Sequence, residues 1–188
     1  MQSTRFLLLS TISLIIFIIV FLMTIQNQIF IKSFSQKQKK ISNQDIQYTG
    51  LPFIIDGDSL EIGGKRFRLF GIDSPEFDQL CTKKGKQYSC GKESTIALKN
   101  LIKNKTINCT KQNVDSYQRI LVICFLDQIE INRWMVINGY ALAYQHYSDR
   151  YINDEIKARM LKVGIWSGSF EKPWKYRHKK HNTILLSR

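Results

Sequence analysis

Apolar residues run without a charge from Phe6 to Ile25, FLLLSTISLIIFIIVFLMTI, and then give way to a polar stretch rich in Gln, Ser and Lys that ends at Asp45. A helix of that length reaches ~30 Å, the thickness of a bilayer core, and this one has no polar face. The pattern predicts one amino-terminal transmembrane helix. A cleaved signal peptide is the alternative, because Arg5 makes a short positive start, although no small-x-small cleavage site follows the run. Residues 1–27 are thus read as anchor or signal, and 28–47 as a linker.

Beyond the linker the apolar period changes to two. Leu60 and Ile62 alternate with Ser59 and Glu61, Gly63-Gly64 supplies a turn that accepts positive φ, and Phe67 and Leu69 alternate with Arg66 and Arg68. This predicts a β-hairpin within Pro52 to Ile72, with Arg66 and Arg68 on one face. Thr106 to Thr110 and Ile120 to Leu126 read as two further strands, and Asp127-Gln128 turns the latter back on a short strand from Ile129 to Ile131. Five short strands suit a small barrel.

Three stretches carry helical spacing instead. Lys92 to Ile102 places Ile96, Leu98, Leu101 and Ile102 at such intervals; Asn132 is expected to cap a short helix that stops at Gly139. Ser148 is expected to open a third, with Tyr151, Ile152, Ile156, Met160 and Val163 on one buried stripe, a Glu155 to Arg159 pair, and Gly164 at its end. The tail from Lys172 to Arg188 is basic and reads as a loosely docked end.

Composition excludes some classes. With 44% hydrophobic residues the chain is not disordered throughout, and 188 residues allow one globular unit plus an appendage. A net charge of +13 favours polyanionic partners, nucleic acid or anionic lipid. Lys32, Lys37, Lys39 and Lys40 outweigh Arg5, so the positive-inside rule alone keeps the domain in the cytoplasm. The cysteines argue the other way. Cys81, Cys90, Cys109 and Cys124 lack the close C-x2-C pair of a structural zinc site, and an even count suits two disulfides, which persist outside the cytosol. The sequential pairing fits best, since Cys109 with Cys124 would staple adjacent strands; four buried thiols are the alternative.

Four carboxylates fall close together: Asp56 and Asp58 in IIDGDS, then Asp73 and Glu76 in GIDSPE, on either side of the hairpin. Carboxylates so gathered repel unless a cation or proton intervenes, and oxygen ligands without His or Cys favour Ca²⁺ or Mg²⁺. Either cluster alone reads as a turn. Arginine changes the balance, because Arg68 lies on the strand that feeds the second cluster and Arg119 follows DSYQ before another strand. Guanidiniums beside a cation site suit a phosphodiester, whose oxygens they bind bidentately. His146, His178 and His181 lie outside the acidic cluster and read as surface residues.

In IIDGDSLEI, FRLFGIDSPE, DSYQR, INRWMVINGYALAY, GIWSGSF and PWKYR, taken in that order, the sequence resembles the staphylococcal nuclease-like, or thermonuclease, family over about residues 50 to 178. The resemblance implies an α+β, mainly β, OB-fold: a five-stranded barrel with three helices over residues 48–178, followed by a basic tail, 179–188. It implies a calcium-dependent endonuclease that cleaves the P–O5′ bond of DNA and RNA, acting as a monomer. Asp58 and Asp73 match direct Ca²⁺ ligands, Ser74 a backbone-carbonyl ligand, and Asp56 an acid that acts through water. Glu76 matches the acid that directs the attacking water, and Arg68 and Arg119 the phosphate-binding arginines. Asp115, Tyr117, Tyr144 and Tyr147 match positions near the bound nucleotide. Gln118 stands where the family has Gly, which predicts modest slowing if that position needs positive φ. Ser59 stands for a usual Thr. The CTKKGKQYSCGKE insert resembles a secreted or periplasmic bacterial branch, which supports disulfides and a domain outside the cytoplasm, anchored or released. A binding-only OB module, with aromatic residues in a basic groove, is the rival reading.

Overall fold

The computed structural model describes residues 21–32 and 46–186, and the chain divides into two units, Met1–Asn43 and Gln44–Arg188. In the first unit residues 21–32 are helical. The expected anchor and linker lie largely outside the described residues. Among those described, no helix is long and apolar enough to cross a membrane.

The second unit is mixed α+β with sheet dominant. Its strands are β1 (Gln47–Gly50), β2 (Phe53–Ile54), β3 (Ser59–Ile62), β4 (Lys65–Leu69), β5 (Ile72–Asp73), β6 (Cys81–Lys83), β7 (Lys86–Tyr88), β8 (Ile107–Val114), β9 (Ile120–Leu126), β10 (Ile129–Glu130) and β11 (Leu142–Ala143). Its helices are α1 (Cys90–Ile102), α2 (Ile131–Ile137), α3 (Ile152–Met160) and α4 (Pro173–Leu186), with a 3-10 turn at Gly164–Ser167. One sheet runs β1-β8-β9-β4-β3-β2, with β10 paired to β9, and two-stranded pieces are formed by β5 with β11 and β6 with β7. The β4–β9 pairing is parallel and the rest are antiparallel. This strand count exceeds the five expected, because the cysteine insert forms a hairpin of its own, β6 with β7, and β2, β5, β10 and β11 are pieces of only two residues.

The predicted β3–β4 hairpin is present, with Gly63 and Gly64 both at positive φ in a two-residue turn that matches the strand twist. Its apolar face, Leu60, Phe67 and Leu69, meets Leu98 of α1, Ile107 and Val122 of β8 and β9, and Ile131 and Met135 of α2 in one buried core. Removing these side chains from water is the dominant favourable term. Disulfides join Cys81 to Cys90 and Cys109 to Cys124, the sequential pairing. The second lies directly across the β8–β9 ladder.

Three helix expectations are corrected. Asn132 does not cap α2; Glu130 precedes the helix, and Asn132 is fully buried within it. Its amide donates to the carbonyls of Phe70 and Val122 and its Oδ1 accepts from the Cys124 N–H, tying α2 to β9. The third helix begins at Ile152, not Ser148, and its buried face is Asp154, Glu155 and Ala158, while Ile156 and Met160 are exposed. Polar partners turn it: Asp154 accepts from Arg133 of α2, and Glu155 accepts from the Ala143 N–H and pairs with Arg159. The tail is not loosely docked. Pro173 occupies the first position of α4, where its missing N–H costs no hydrogen bond, and the helix it opens carries Arg177 back to the acidic cluster.

Candidate active site

The hairpin register sets Ser59 opposite Arg68, so Asp58, one residue before β3, meets the end of β4. The Leu69 N–H donates to the Asp58 carbonyl at 2.8 Å and fixes that approach. Asp56 closes the bend by accepting from the Asp58 N–H at 3.0 Å. Gly57 has to be Gly because a Cβ there would lie 2.0 Å from Ser74 Oγ. Bend and GIDSPE loop are therefore in direct contact, as the two acidic clusters need.

Arg68 lies between the clusters, only 6% exposed. Its Nη1 donates to Asp58 Oδ1 at 2.6 Å and its Nη2 to Asp73 Oδ1 at 2.5 Å. The other Asp58 oxygen accepts from the Ser74 N–H at 2.7 Å. Both carboxylates thus face one guanidinium, and both are buried. A second arginine comes from α4. Arg177 grips both oxygens of Asp73, at 2.9 and 3.0 Å, and donates to Glu76 Oε1 at 2.6 Å. The helix is held there partly by Gln79, fully buried, whose amide donates to the Glu171 carbonyl and whose Oε1 accepts from the Glu76 N–H.

Burial and repulsion from Asp58 push both Asp56 and Asp73 up to about 6, against the pull of nearby arginines. Burial would lower Arg177, but Asp73 and Glu76 outweigh it and hold the guanidinium firmly charged. Four carboxylates face two guanidiniums here, a formal excess of two negative charges. That excess and the all-oxygen donor set fit a hard divalent cation. Among the described residues no three His, Cys, Asp or Glu side chains are grouped so as to hold a metal by themselves.

Arg119 approaches from the β8–β9 loop. Asp115 organises that loop by accepting from the Tyr117 and Arg119 N–H groups, each at 2.9 Å, and its second oxygen takes Arg119 Nε at 2.7 Å. Asp115 acts through its own loop and does not line the cavity. Gln118 sits at φ +62°, the left-handed conformation its family position suggested, and the Asp115 contact still holds Arg119 in place. Tyr117, exposed, lies with its ring 5.3 Å from the Arg119 guanidinium.

Asp56, Ser59, Arg68, Glu76, Tyr117, Arg119 and Arg177 line one cavity of about 410 Å³. Tyr144 and Tyr147, in edge contact at 5.1 Å, line an adjoining cavity of about 590 Å³ with Trp174 and Arg177. Ser74 has its side chain turned inward, bonded to Ser94 Oγ at 2.7 Å, which leaves only its backbone toward the site. His178 and His181 are exposed, as the sequence suggested, and border the second cavity.

Sequence reasoning missed Arg177 and Trp174. The signal was present, since Pro173 marks a helix start and Trp174, Arg177, His178 and His181 then fall at i, i+3, i+4 and i+7 on one face.

The profile of the family described as staphylococcal nuclease homologue matches residues 66–168. The chain belongs to that family. The match takes in Arg68, Asp73, Glu76 and Arg119, while Asp58 and Arg177 lie outside it. Among similar proteins, an Escherichia coli protein named uncharacterized endonuclease is 33% identical over 68% of this chain and 82% of its own length. The succinoglycan biosynthesis protein ExoI of Rhizobium meliloti is 34% identical over 62% of this chain and 63% of its own. The probable staphylococcal-like nuclease CAN2 of rice, Oryza sativa subsp. japonica, is 32% identical over 62% of this chain but only 30% of its own. This staphylococcal nuclease homologue therefore spans less than two thirds of two of these three relatives. Relatives named as nucleases support nuclease activity at the general level.

Proposed function

We propose that the protein is a calcium-dependent endonuclease that hydrolyses DNA and RNA at the P–O5′ bond, leaving 3′-phosphate ends. One observation carries the reading: Arg68 bridges Asp58 and Asp73 at the wall of the same cavity that Glu76 and Arg119 line. A buried arginine that only balanced charge would need no second guanidinium facing the same open space.

Asp58 and Asp73 would hold the ion directly, with the Ser74 carbonyl, and Asp56 through water. Calcium, when bound, supplies positive charge to a non-bridging phosphoryl oxygen. The protein's own groups do the rest. Arg119 and Arg68 donate to the equatorial oxygens, and their hydrogen bonds strengthen as negative charge grows on the five-coordinate phosphorus. Glu76 accepts a proton from the attacking water and aims its oxygen in line with the P–O5′ bond. The new P–O bond forms as the bond to O5′ breaks, and O5′ takes a proton from solvent. Asp115 keeps Arg119 pre-aimed, which removes part of the ordering cost.

The apolar run before the domain and the two disulfides support an anchored or secreted protein whose catalytic domain lies outside the cytoplasm. The test of function is incubation of supercoiled plasmid and single-stranded DNA with the purified protein. Breakdown with calcium and none with chelator is expected; binding without cleavage in either condition contradicts the assignment.

A further inference from the structure

We propose that the cleft continues past the acidic cluster, across the indole of Trp174, into a groove that binds the single-stranded nucleic acid flanking the scissile phosphate. The proposal rests on the nuclease reading and adds where the flanking strand lies. Three cavities adjoin in series. The first two share Arg68, Tyr117, Arg119 and Arg177; the second meets a third, of about 520 Å³, at Tyr144 and Trp174. The third runs between the chain from Leu142 to His146 and the α3 face bearing Ile152 and Arg159.

Its chemistry is that of a strand-binding surface. Tyr144 stands 5.7 Å from Trp174 and 5.8 Å from His146, ring centre to ring centre, so flat side chains follow one another along the groove. Lys172 places its ammonium 5.0 Å from the Trp174 ring, while Arg159 on the opposite wall is paired with Glu155 and lies 4.4 Å from the Trp166 ring centre. Among the described residues Glu155 is the only acid in the lining, and its two oxygens are engaged by the Ala143 N–H and by Arg159. Among the described residues the lining therefore offers ring faces and one uncompensated cation, Lys172, because Arg159 and Glu155 balance each other. Stacking platforms interleaved with cations hold unpaired bases while neutralising their phosphates, whereas bases inside a duplex cannot reach such rings.

The experiment measures binding by fluorescence anisotropy of the full-length protein in chelator, so that nothing is cut. The probes are 5′-labelled oligothymidylates of about three and about nine nucleotides. Wild type is expected to bind the longer probe about tenfold or more tightly than the shorter, and Trp174→Ala and Lys172→Glu are each expected to reduce that ratio at least threefold, with Trp174→Phe restoring it. Lys172 is exposed, so its variant decides the matter should Trp174→Ala unfold. An unchanged ratio in Lys172→Glu and in a folded Trp174→Ala overturns the proposal. So does equal competition by a polyglutamate of matched charge, which would make the groove a general polyanion surface. Failure of wild type to bind either probe in chelator, with cleavage appearing once calcium is added, overturns the groove and leaves the nuclease reading standing; no binding and no cleavage with calcium sinks the nuclease reading itself.

Discussion

Both terminal nitrogens of Arg177 lie within 3.0 Å of the Asp73 carboxylate, 104 residues earlier in the chain. The last helix of the fold thus supplies a cation to the acid that closes the β3–β4 hairpin's acidic loop. The same guanidinium holds Glu76, so one side chain both neutralises a candidate ion ligand and positions the candidate base.

Two opposed effects follow for Arg177→Ala. Removing a positive charge beside Asp73 should tighten calcium binding at least about threefold, read by calorimetry without nucleic acid. Losing the Glu76 contact should lower kcat about 10- to 100-fold. Weaker calcium binding would show that Arg177 organises the ligands and does not compete with the ion.

Stability without calcium should rise on mild acidification. Asp73 and Asp56 titrate near 6 in the folded chain against 3.8 as the ordinary value, so between those values the folded state binds more protons than the unfolded one. Unfolding free energy therefore falls as pH rises through this window. Burial acts to raise Glu130, but donation from Arg150 and Tyr151 outweighs it and holds it low; its stabilisation is present above the ordinary carboxylate pKa and fades only as pH falls toward the depressed value. Thermal melts in chelator should give a higher Tm at pH 5 than at pH 7.5, and calcium should reduce the difference. A Tm that only falls on acidification contradicts the charge excess.

Gln118→Gly should stabilise the β8–β9 loop by about 0.5–1 kcal/mol, because Gln pays a steric cost at φ +62° that Gly does not. Activity should change less than about twofold, since Asp115 already fixes Arg119. Asp115→Ala should be worse on both counts, and a comparison of melts and rates for the two variants separates loop strain from arginine positioning.

Thiol labelling in intact cells tests the proposed compartment. A membrane-impermeant reagent should react with Cys81, Cys90, Cys109 and Cys124 only after reduction. Protection of all four until lysis would place the domain inside.

The hairpin was legible because Leu60, Ile62, Phe67 and Leu69 alternate around a Gly-Gly turn, and β-sheet period and turn chemistry are both local. Asp56, Asp58, Asp73, Glu76, Arg68 and Arg119 were legible as a constellation; the structure brings Asp56, Glu76, Arg68 and Arg119 to one cavity and sets Asp58 and Asp73 just behind its wall, each bonded to Arg68. The α3 face was misread because periodicity assumes that apolar side chains go inward; Asp154 and Glu155 go inward here on partners, Arg133 and the Ala143 N–H, that are distant in sequence. Asn132 looks like a cap for the same reason: its partners at Phe70 and Val122 are set by tertiary packing. Arg177 required knowing that the tail folds back, which depends on Gln79 reaching Glu171 across the domain.

The most direct measurement is the single-turnover cleavage rate of a 5′-labelled single-stranded oligonucleotide in calcium, for wild type, Asp58→Asn and Arg119→Ala, with folding checked by melting on the same samples. The account predicts calcium-dependent scission to 3′-phosphate ends, with losses of about 100-fold or more in either variant. Folded variants that cut as fast as wild type, or wild-type cutting undiminished by chelator, would contradict it.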